Sequence, residues 1–152
     1  MTGRIVVGVD GSEGSLQALR WAAEEAAIRD AIVVAAVIWQ SPYDYLFEST
    51  LYDVPVDERK LVDGARETLS KAIATVGAEH PEVRIEPLVV EGDPAETLCE
   101  QAESADLLVV GSRGRGAFGE LLLGSVSSKC AHHCHRPVLI VPKGAQDDRP
   151  SA

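Results

Sequence analysis

Apolar and polar positions along this chain alternate between two rhythms. Residues 5–9, Ile-Val-Val-Gly-Val, form a short β-branched run that stops at Asp10-Gly11-Ser12. Over residues 15–30, Leu16, Leu19, Ala23 and Ala26 recur at helical spacing, leaving Glu24, Glu25 and Arg29 for the wet side. Residues 32–39 are continuously apolar, which predicts a strand covered on both faces. Leu61, Ala65, Leu69, Ala72 and Val76 mark one stripe of a helix over 57–78. Residues 83–90 read as a third strand, and Pro87 within it, lacking a donor for the ladder, predicts an edge position. Asp93-Pro94-Ala95-Glu96 reads as a helix start: Asp caps, Pro fits the first turn, and Glu takes the capping-box position. A fourth strand over 107–110, a helix over 125–133 and a fifth strand over 138–141, closed by Pro142, complete the pattern.

Alternation of strand and helix specifies a parallel sheet, because parallel neighbours need a crossover and the helices supply it. The expected fold is therefore α/β, a single doubly wound five-stranded parallel sheet with helices on both faces. It would occupy residues 1–143 as one domain, with 144–152 as a flexible C-terminal tail. Such sheets bind ligands beyond the carboxyl ends of the strands, where strand order reverses. The segments to inspect are Asp10-Gly11-Ser12, the stretch from Trp39, Glu91-Gly92-Asp93 and the stretch from Gly111.

Composition narrows the partners. The 152 residues, 45% hydrophobic and 25% charged, suit one soluble globular domain. Lys and Arg total 14 against 24 Asp and Glu, for a net charge of −10. A surface of that sign repels nucleic-acid phosphates and anionic lipid, so neither nucleic acid nor membrane is an expected partner. No apolar stretch approaches the roughly 20 residues of a membrane span, and residues 5–9 are too short for a signal-peptide core. Cys99, Cys130 and Cys134 are odd in number and lack the spacing of a secreted framework, which predicts reduced thiols in a cytoplasmic protein.

The charge is unevenly spread. Residues 107–143 carry Arg113, Arg115, Lys129, Arg136 and Lys143 against Glu120 alone, a net of +4 that leaves −14 elsewhere. In this basic stretch lies Gly111-Ser112-Arg113-Gly114-Arg115-Gly116-Ala117-Phe118-Gly119, followed shortly by Gly124-Ser125, where a helix opens. Glycines bring backbone N–H groups close to a ligand, and a nest of them leading into a helix N-terminus holds phosphate. The alternative is a loop whose arginines are simply solvated. A lysine-bearing phosphate loop would need Gly-Lys-Ser/Thr from Gly116, where Ala117 and Phe118 follow instead. Gly114-Arg115-Gly116-Ala117-Phe118-Gly119 has dinucleotide spacing, but it lies three residues past the strand, and no acidic residue occurs between Glu120 and Asp147 to hold a ribose. The spacing that fits is Gly111-x2-Gly114-x9-Gly124-Ser125.

In that spacing the chain resembles the universal stress protein family, in its ATP-binding branch, whose nucleotide motif is G-x2-G-x9-G-S/T. The likeness extends to Ile5-Val6-Val7-Gly8-Val9-Asp10-Gly11-Ser12, to Gly92-Asp93-Pro94, and to the closing strand Arg136-Pro137-Val138-Leu139-Ile140-Val141. It implies an adenine nucleotide alpha hydrolase-like fold with strand order 3-2-1-4-5 and ATP across the ends of strands 1 and 4. By position, Gly111, Gly114, Gly124 and Ser125 would cradle the phosphates. Ser112, Arg113, Arg115, Gly116 and Val126 would add backbone N–H groups. Asp10 would face the ribose or a phosphate-bound Mg²⁺, with Gly8 beneath the nucleotide, and Val37 would meet adenine through its backbone. A carboxylate suits a ribose hydroxyl or a hard cation on chemical grounds alone, although Asp10 could instead cap the following helix. Many family members carry His just before the position of Val37; here it is Ala36.

The expected function is a nucleotide-dependent sensor or regulator in the stress response, binding ATP and Mg²⁺ and acting on a protein partner. The resemblance and the exposed edge of strand 5 also imply a homodimer. The alternative is a slow ATPase, autokinase or phosphate-transfer enzyme on the same fold; with no evident base and no phosphate lysine, no catalytic residue is assigned. A flavin carrier of similar sheet order is disfavoured by the arginine-bearing loop on strand 4. Two features stand apart. Trp39, Tyr43, Tyr45, Phe47 and Tyr52 cluster after strand 2, as a cover for adenine, a partner surface or a loop pinned by its aromatics. Cys130-Ala131-His132-His133-Cys134-His135 has the composition of a metal site, but only Cys99 and His80 remain elsewhere to complete one, so it reads as a plain helix end.

Overall fold

The computed structural model describes residues 3–44, 57–113 and 123–144. The strands β1 (Gly3–Gly8), β2 (Ala31–Trp39), β3 (Ile85–Glu91), β4 (Leu107–Gly111) and β5 (Val138–Val141) form one sheet in the order β3-β2-β1-β4-β5, with every pairing parallel. The helices α1 (Glu13–Arg29), α2 (Glu58–Glu79), α3 (Pro94–Ala102) and α4 (Ser125–His133) fill the crossovers. Both the doubly wound architecture and the 3-2-1-4-5 order agree with expectation. Strand order reverses between β1 and β4, so the ligand crevice of such a sheet lies beyond Gly8 and Gly111.

Alternate residues of each buried strand feed two separate cores. Ile5, Val7, Val33, Ala35 and Val109 pack on the face covered by α1 and α2, where Leu19, Ala23, Leu69 and Val76 meet them. Val6, Val34, Ala36, Leu108 and Val110 face α3 and α4, against Leu98, Ala102 and Cys130. A strand buried on both sides has no polar face to write, which is why these runs are continuously apolar.

Pro87 lies on edge strand β3, as its missing donor predicts. The ladder shows why it is tolerated. Val33 donates to the Arg84 carbonyl at 2.9 Å and Gly92 to that of Trp39 at 2.9 Å, so the even-numbered residues of β3 bond to β2 and Pro87 turns its nitrogen outward. At the start of α3, Asp93 accepts from the Glu96 N–H at 3.0 Å and Pro94 takes the first helical position.

One expectation is overturned. Cys99 of α3 and Cys134, just past α4, form a disulfide, and only Cys130 is a free thiol, fully buried. The two half-cystines lie 35 positions apart and meet only because α3 and α4 pack side by side on one face of the sheet, a proximity that linear spacing hides. The argument from reduced thiols to a cytoplasmic location falls with it. No described helix is long and apolar enough to cross a membrane.

On the other face, Arg20 of α1 grips the last residue of α2. Its Nε and Nη2 donate to the two carboxylate oxygens of Glu79 at 2.9 and 3.0 Å. The hydrogen bond from Arg20 holds the Glu79 carboxyl below its ordinary value. A depressed carboxylate stabilises the fold above its unfolded pKa and loses that contribution as pH falls through the folded one. Glu79→Gln should therefore lower stability near neutral pH by less than about 1 kcal/mol, since the pair is partly solvated. Urea titrations of both proteins should show the difference shrinking in acid and at high salt.

Candidate functional site

The crevice residues are positioned by main-chain contacts. Beyond Gly8, Val9 donates its N–H to the Ala36 carbonyl at 2.8 Å, and Asp10 follows. Asp10 does not cap α1; Ser12 does, its hydroxyl accepting from the Ser15 N–H at 3.2 Å. Asp10 Oδ1 instead accepts from the N–H of Ser12 at 2.9 Å and from its hydroxyl at 2.5 Å, while the Asp10 N–H donates to Ser15 Oγ at 3.2 Å. These bonds hold a half-buried carboxylate at the carboxyl end of β1.

Gly111 is required by α1. A Cβ there would lie 2.9 Å from the Gly14 carbonyl oxygen, and a Cβ on Gly14 would lie 2.9 Å from the Arg113 carbonyl oxygen. The first turn of α1 thus packs backbone on backbone against the end of β4. Gly14 shapes the site although it lies outside the glycine spacing; its one signal is a glycine in a helical turn, where propensity disfavours it. At Gly8 the absent side chain accommodates α3, since a Cβ would come within 3.0 Å of Leu98 Cδ1.

Ser112 is buried and its main-chain groups are engaged, which corrects its expected role. Its N–H donates to the Val141 carbonyl at 2.8 Å, so that donor is committed to β5 and not to a phosphate. Its carbonyl accepts from the Gly124 N–H at 2.6 Å and from the Ser127 hydroxyl at 2.8 Å. The two ends of the glycine-rich segment are therefore tied together at Ser112. Gly114, Arg115 and Gly116 lie outside the described residues, as do Tyr45, Phe47 and Tyr52 of the aromatic cluster and the tail beyond Gly144. Arg113 is half-buried where the described chain stops.

Past that segment, Gly124 holds the N-cap of α4 with φ −76°, and Ser125 is the exposed first helical residue, not a cap. Helices α1, α2 and α3 have side-chain caps in Ser12, Asp57 and Asp93; α4 has none. The Ser127 hydroxyl, which lies in the first turn, is turned inward to Ser112 and Gly124. Among the described residues no side chain caps the first-turn amides of Ser125, Val126 and Ser127, a set of donors that favours an anion.

Val37 is buried in the interior of β2, opposite Val89. Successive residues of a parallel strand aim their peptide groups at opposite neighbours. The Ala36 carbonyl faces β1 and that of Trp39 faces β3. The peptide of Val37 is therefore turned into the β2–β3 ladder, and that of Ile38 faces the β1 side, where β1 has already ended at Gly8. The peptide of the expected contact residue Val37 is thus committed to the β2–β3 ladder. The site offers no thiol nucleophile either. Burial, and then the charge of Asp93, push the Cys130 thiol up to about 11.

Comparison with known proteins is consistent along the chain. The family model described as universal stress protein family matches residues 1–142. A universal stress protein of Mycolicibacterium smegmatis is 33% identical over 95% of this chain and 51% of its own length. One from Mycobacterium tuberculosis is 34% identical over 90% of the chain and 44% of its own. The chain thus spans about half the length of these curated relatives. Among solved structures, a universal stress protein in complex with cAMP has a TM-score of 0.68 at 31% identity, covering 93% of this chain and 97% of that one. A universal stress protein from Archaeoglobus fulgidus in complex with dAMP has a TM-score of 0.63 at 25% identity, covering 93% and 98%.

The main-chain contact at Gly111 makes a direct prediction. Gly111→Ala should destabilise the fold by about 1–3 kcal/mol, because the added methyl meets backbone that cannot swing aside. Ser127→Ala should cost about 1–2 kcal/mol by removing one donor from the buried Ser112 carbonyl. Denaturant unfolding of the two variants measures both.

Proposed function

The chain belongs to the universal stress protein family, and from that premise we propose that it binds ATP with Mg²⁺ and acts as a nucleotide-dependent sensor or regulator in a stress response. The observation that carries this reading is the α4 N-terminus: three first-turn amides, no side-chain cap, and a position beside the end of β4 at the reversal of strand order. A helix start left without a cap beside a glycine-rich basic segment is suited to phosphate oxygens. The net +4 of residues 107–143 in an otherwise acidic chain favours a polyphosphate over a monophosphate. The relatives solved with cAMP and dAMP support an adenine nucleotide as the ligand class.

In this reading the amides of Ser125 and Val126 hold phosphate, with Arg113, Gly114, Arg115 and Gly116 supplying the rest of the cradle. Gly111 lets α1 close on the end of β4, and Gly124 leaves the first turn of α4 without a capping side chain. Adenine lies over the end of β2, meeting the peptide of Ile38 beside Val37. Asp10 serves the ribose or Mg²⁺. The residues fit that ion: Mg²⁺ takes hard oxygen ligands, commonly one or two carboxylates together with substrate phosphates and water. It would there offset charge on the phosphate oxygens. No phosphate lysine follows Gly116 and no residue is assigned as acid or base, which suits a switch read by a protein partner.

A homodimer through β5 belongs to the same proposal. The Leu108 N–H donates to the Pro137 carbonyl and the Ser112 N–H to that of Val141, so the odd-numbered residues bond to β4 and the peptides of Val138 and Ile140 face outward at the sheet edge. Hydrogen exchange at these two amides should slow as protein concentration rises. Exchange independent of concentration contradicts the edge-strand dimer.

The nucleotide is tested by denaturing freshly purified protein and identifying what is released. ATP or ADP should appear in stoichiometric amount. Gly124→Glu should release none, because its φ of −76° admits any side chain while the new carboxylate competes for the first-turn amides. Equal nucleotide from that variant would refute the site.

A further inference from the structure

The three sulfurs that linear spacing kept apart converge on one point. Cys99 comes from α3, Cys130 from α4 and Cys134 from its C-cap, and their Sγ atoms all lie within 4.8 Å of one another. We propose that this cluster is a redox-gated site for a soft d¹⁰ cation of the Zn²⁺ type: closed while Cys99 and Cys134 are paired, and open when they are reduced.

By sequence Cys130-Ala131-His132-His133-Cys134-His135 reads as a plain helix end because only the distant Cys99 and His80 remain to complete a site. Packing of α3 against α4 supplies a third sulfur from outside that segment. Three thiolates around Zn²⁺ at about 2.3 Å stand about 3.8 Å apart along the edges of a tetrahedron. That is close to the contact distance of two unbonded sulfurs, so releasing Cys99 from Cys134 takes the pair toward the required spacing. The backbones need little adjustment: the Cα atoms of Cys99 and Cys134 are 5.0 Å apart, and Cys130 is held with Sγ 4.0 Å from the Ala95 carbonyl oxygen. A cavity of about 370 Å³ opens beside Cys99, and His133 and His135 both line it. It gives the ion an entry path and room for a water as the fourth ligand. Asp93, Glu96, Glu100 and Glu103 line the same cavity against Lys129 alone, an acidic lining that draws a cation toward the sulfurs.

The gate follows from sulfur chemistry. In the oxidised chain two of the three sulfurs are bound to each other and carry no thiolate charge, leaving Cys130 alone, too few ligands for a structural ion. A dithiol reductant passes two electrons and two protons to the Cys99–Cys134 bond, giving two thiols, and itself becomes a disulfide. The cation then displaces three thiol protons to solvent as three metal–sulfur bonds form. The ion's own charge makes thiolates available even at buried Cys130.

The test uses the full chain and Co²⁺ as a spectroscopic probe. Protein reduced by a phosphine and desalted without air should bind one Co²⁺ per chain. Binding should show a thiolate-to-metal charge-transfer band and intense tetrahedral d–d bands, both bleached by Zn²⁺. Air-oxidised protein should show neither, and two of its three cysteines should resist alkylation until reduced. Cys130→Ala and the half-buried Cys99→Ser should each weaken Co²⁺ binding more than about 100-fold, with far-UV circular dichroism verifying that each variant folds. Weak octahedral bands in the reduced chain, equal binding by the oxidised chain, or unchanged binding in a folded variant overturns the site. Three alkylatable thiols in the air-oxidised protein overturn the gate.

Discussion

The candidate nucleotide site depends on one buried carbonyl. Ser112 follows β4 directly, and its carbonyl receives the Gly124 N–H from the far end of the glycine-rich segment together with the hydroxyl of Ser127 from inside α4. Its own N–H is spent on Val141 of the edge strand. A buried carbonyl left without these donors would cost about 1–3 kcal/mol, so β4, β5 and α4 are locked together at this residue. The consequence is that α4 starts at a defined place, with its first-turn amides beside the reversal of strand order. In the proposed reading phosphate needs no lysine there, because helix geometry has already aligned the donors.

Glycine acts in this region mainly by absence. Gly111 and Gly14 let two backbones touch, and Gly8 lets Leu98 pack under the end of β1. The crevice is shaped as much by α1 and α3 pressing on strand ends as by the segment that carries the motif. α4 also joins two chemistries. Its N-terminus borders the proposed phosphate site and its C-terminus carries two of the three clustered sulfurs, on a helix of 9 residues with no kinking residue inside it.

Much of this was legible in the linear chain. Two-sided burial wrote β1, β2 and β4 as unbroken apolar runs, and the stripe Ala65, Leu69, Ala72 and Val76 is the buried face of α2. Pro87 announced the edge because a strand can tolerate its missing donor only where that nitrogen faces out. What stayed hidden is what depends on packing between distant segments. The disulfide and the sulfur cluster arise from α3 lying against α4, which no local pattern encodes. The engaged N–H of Ser112 and the turn of Val37 toward β3 follow from ladder parity, which needs the register and not the motif. Gly14 escaped notice because the contact it serves, with Gly111 and Arg113, crosses from one crossover unit to another.

The central claim is that bare main-chain amides at the start of α4 hold the nucleotide's phosphates. Amide chemical shifts followed during titration with ATP and Mg²⁺ test it directly. The account predicts that the N–H resonances of Ser125 and Val126 move further than those at the starts of α1, α2 and α3, in the direction of stronger hydrogen bonding. Saturable binding that leaves those two resonances in place would contradict it.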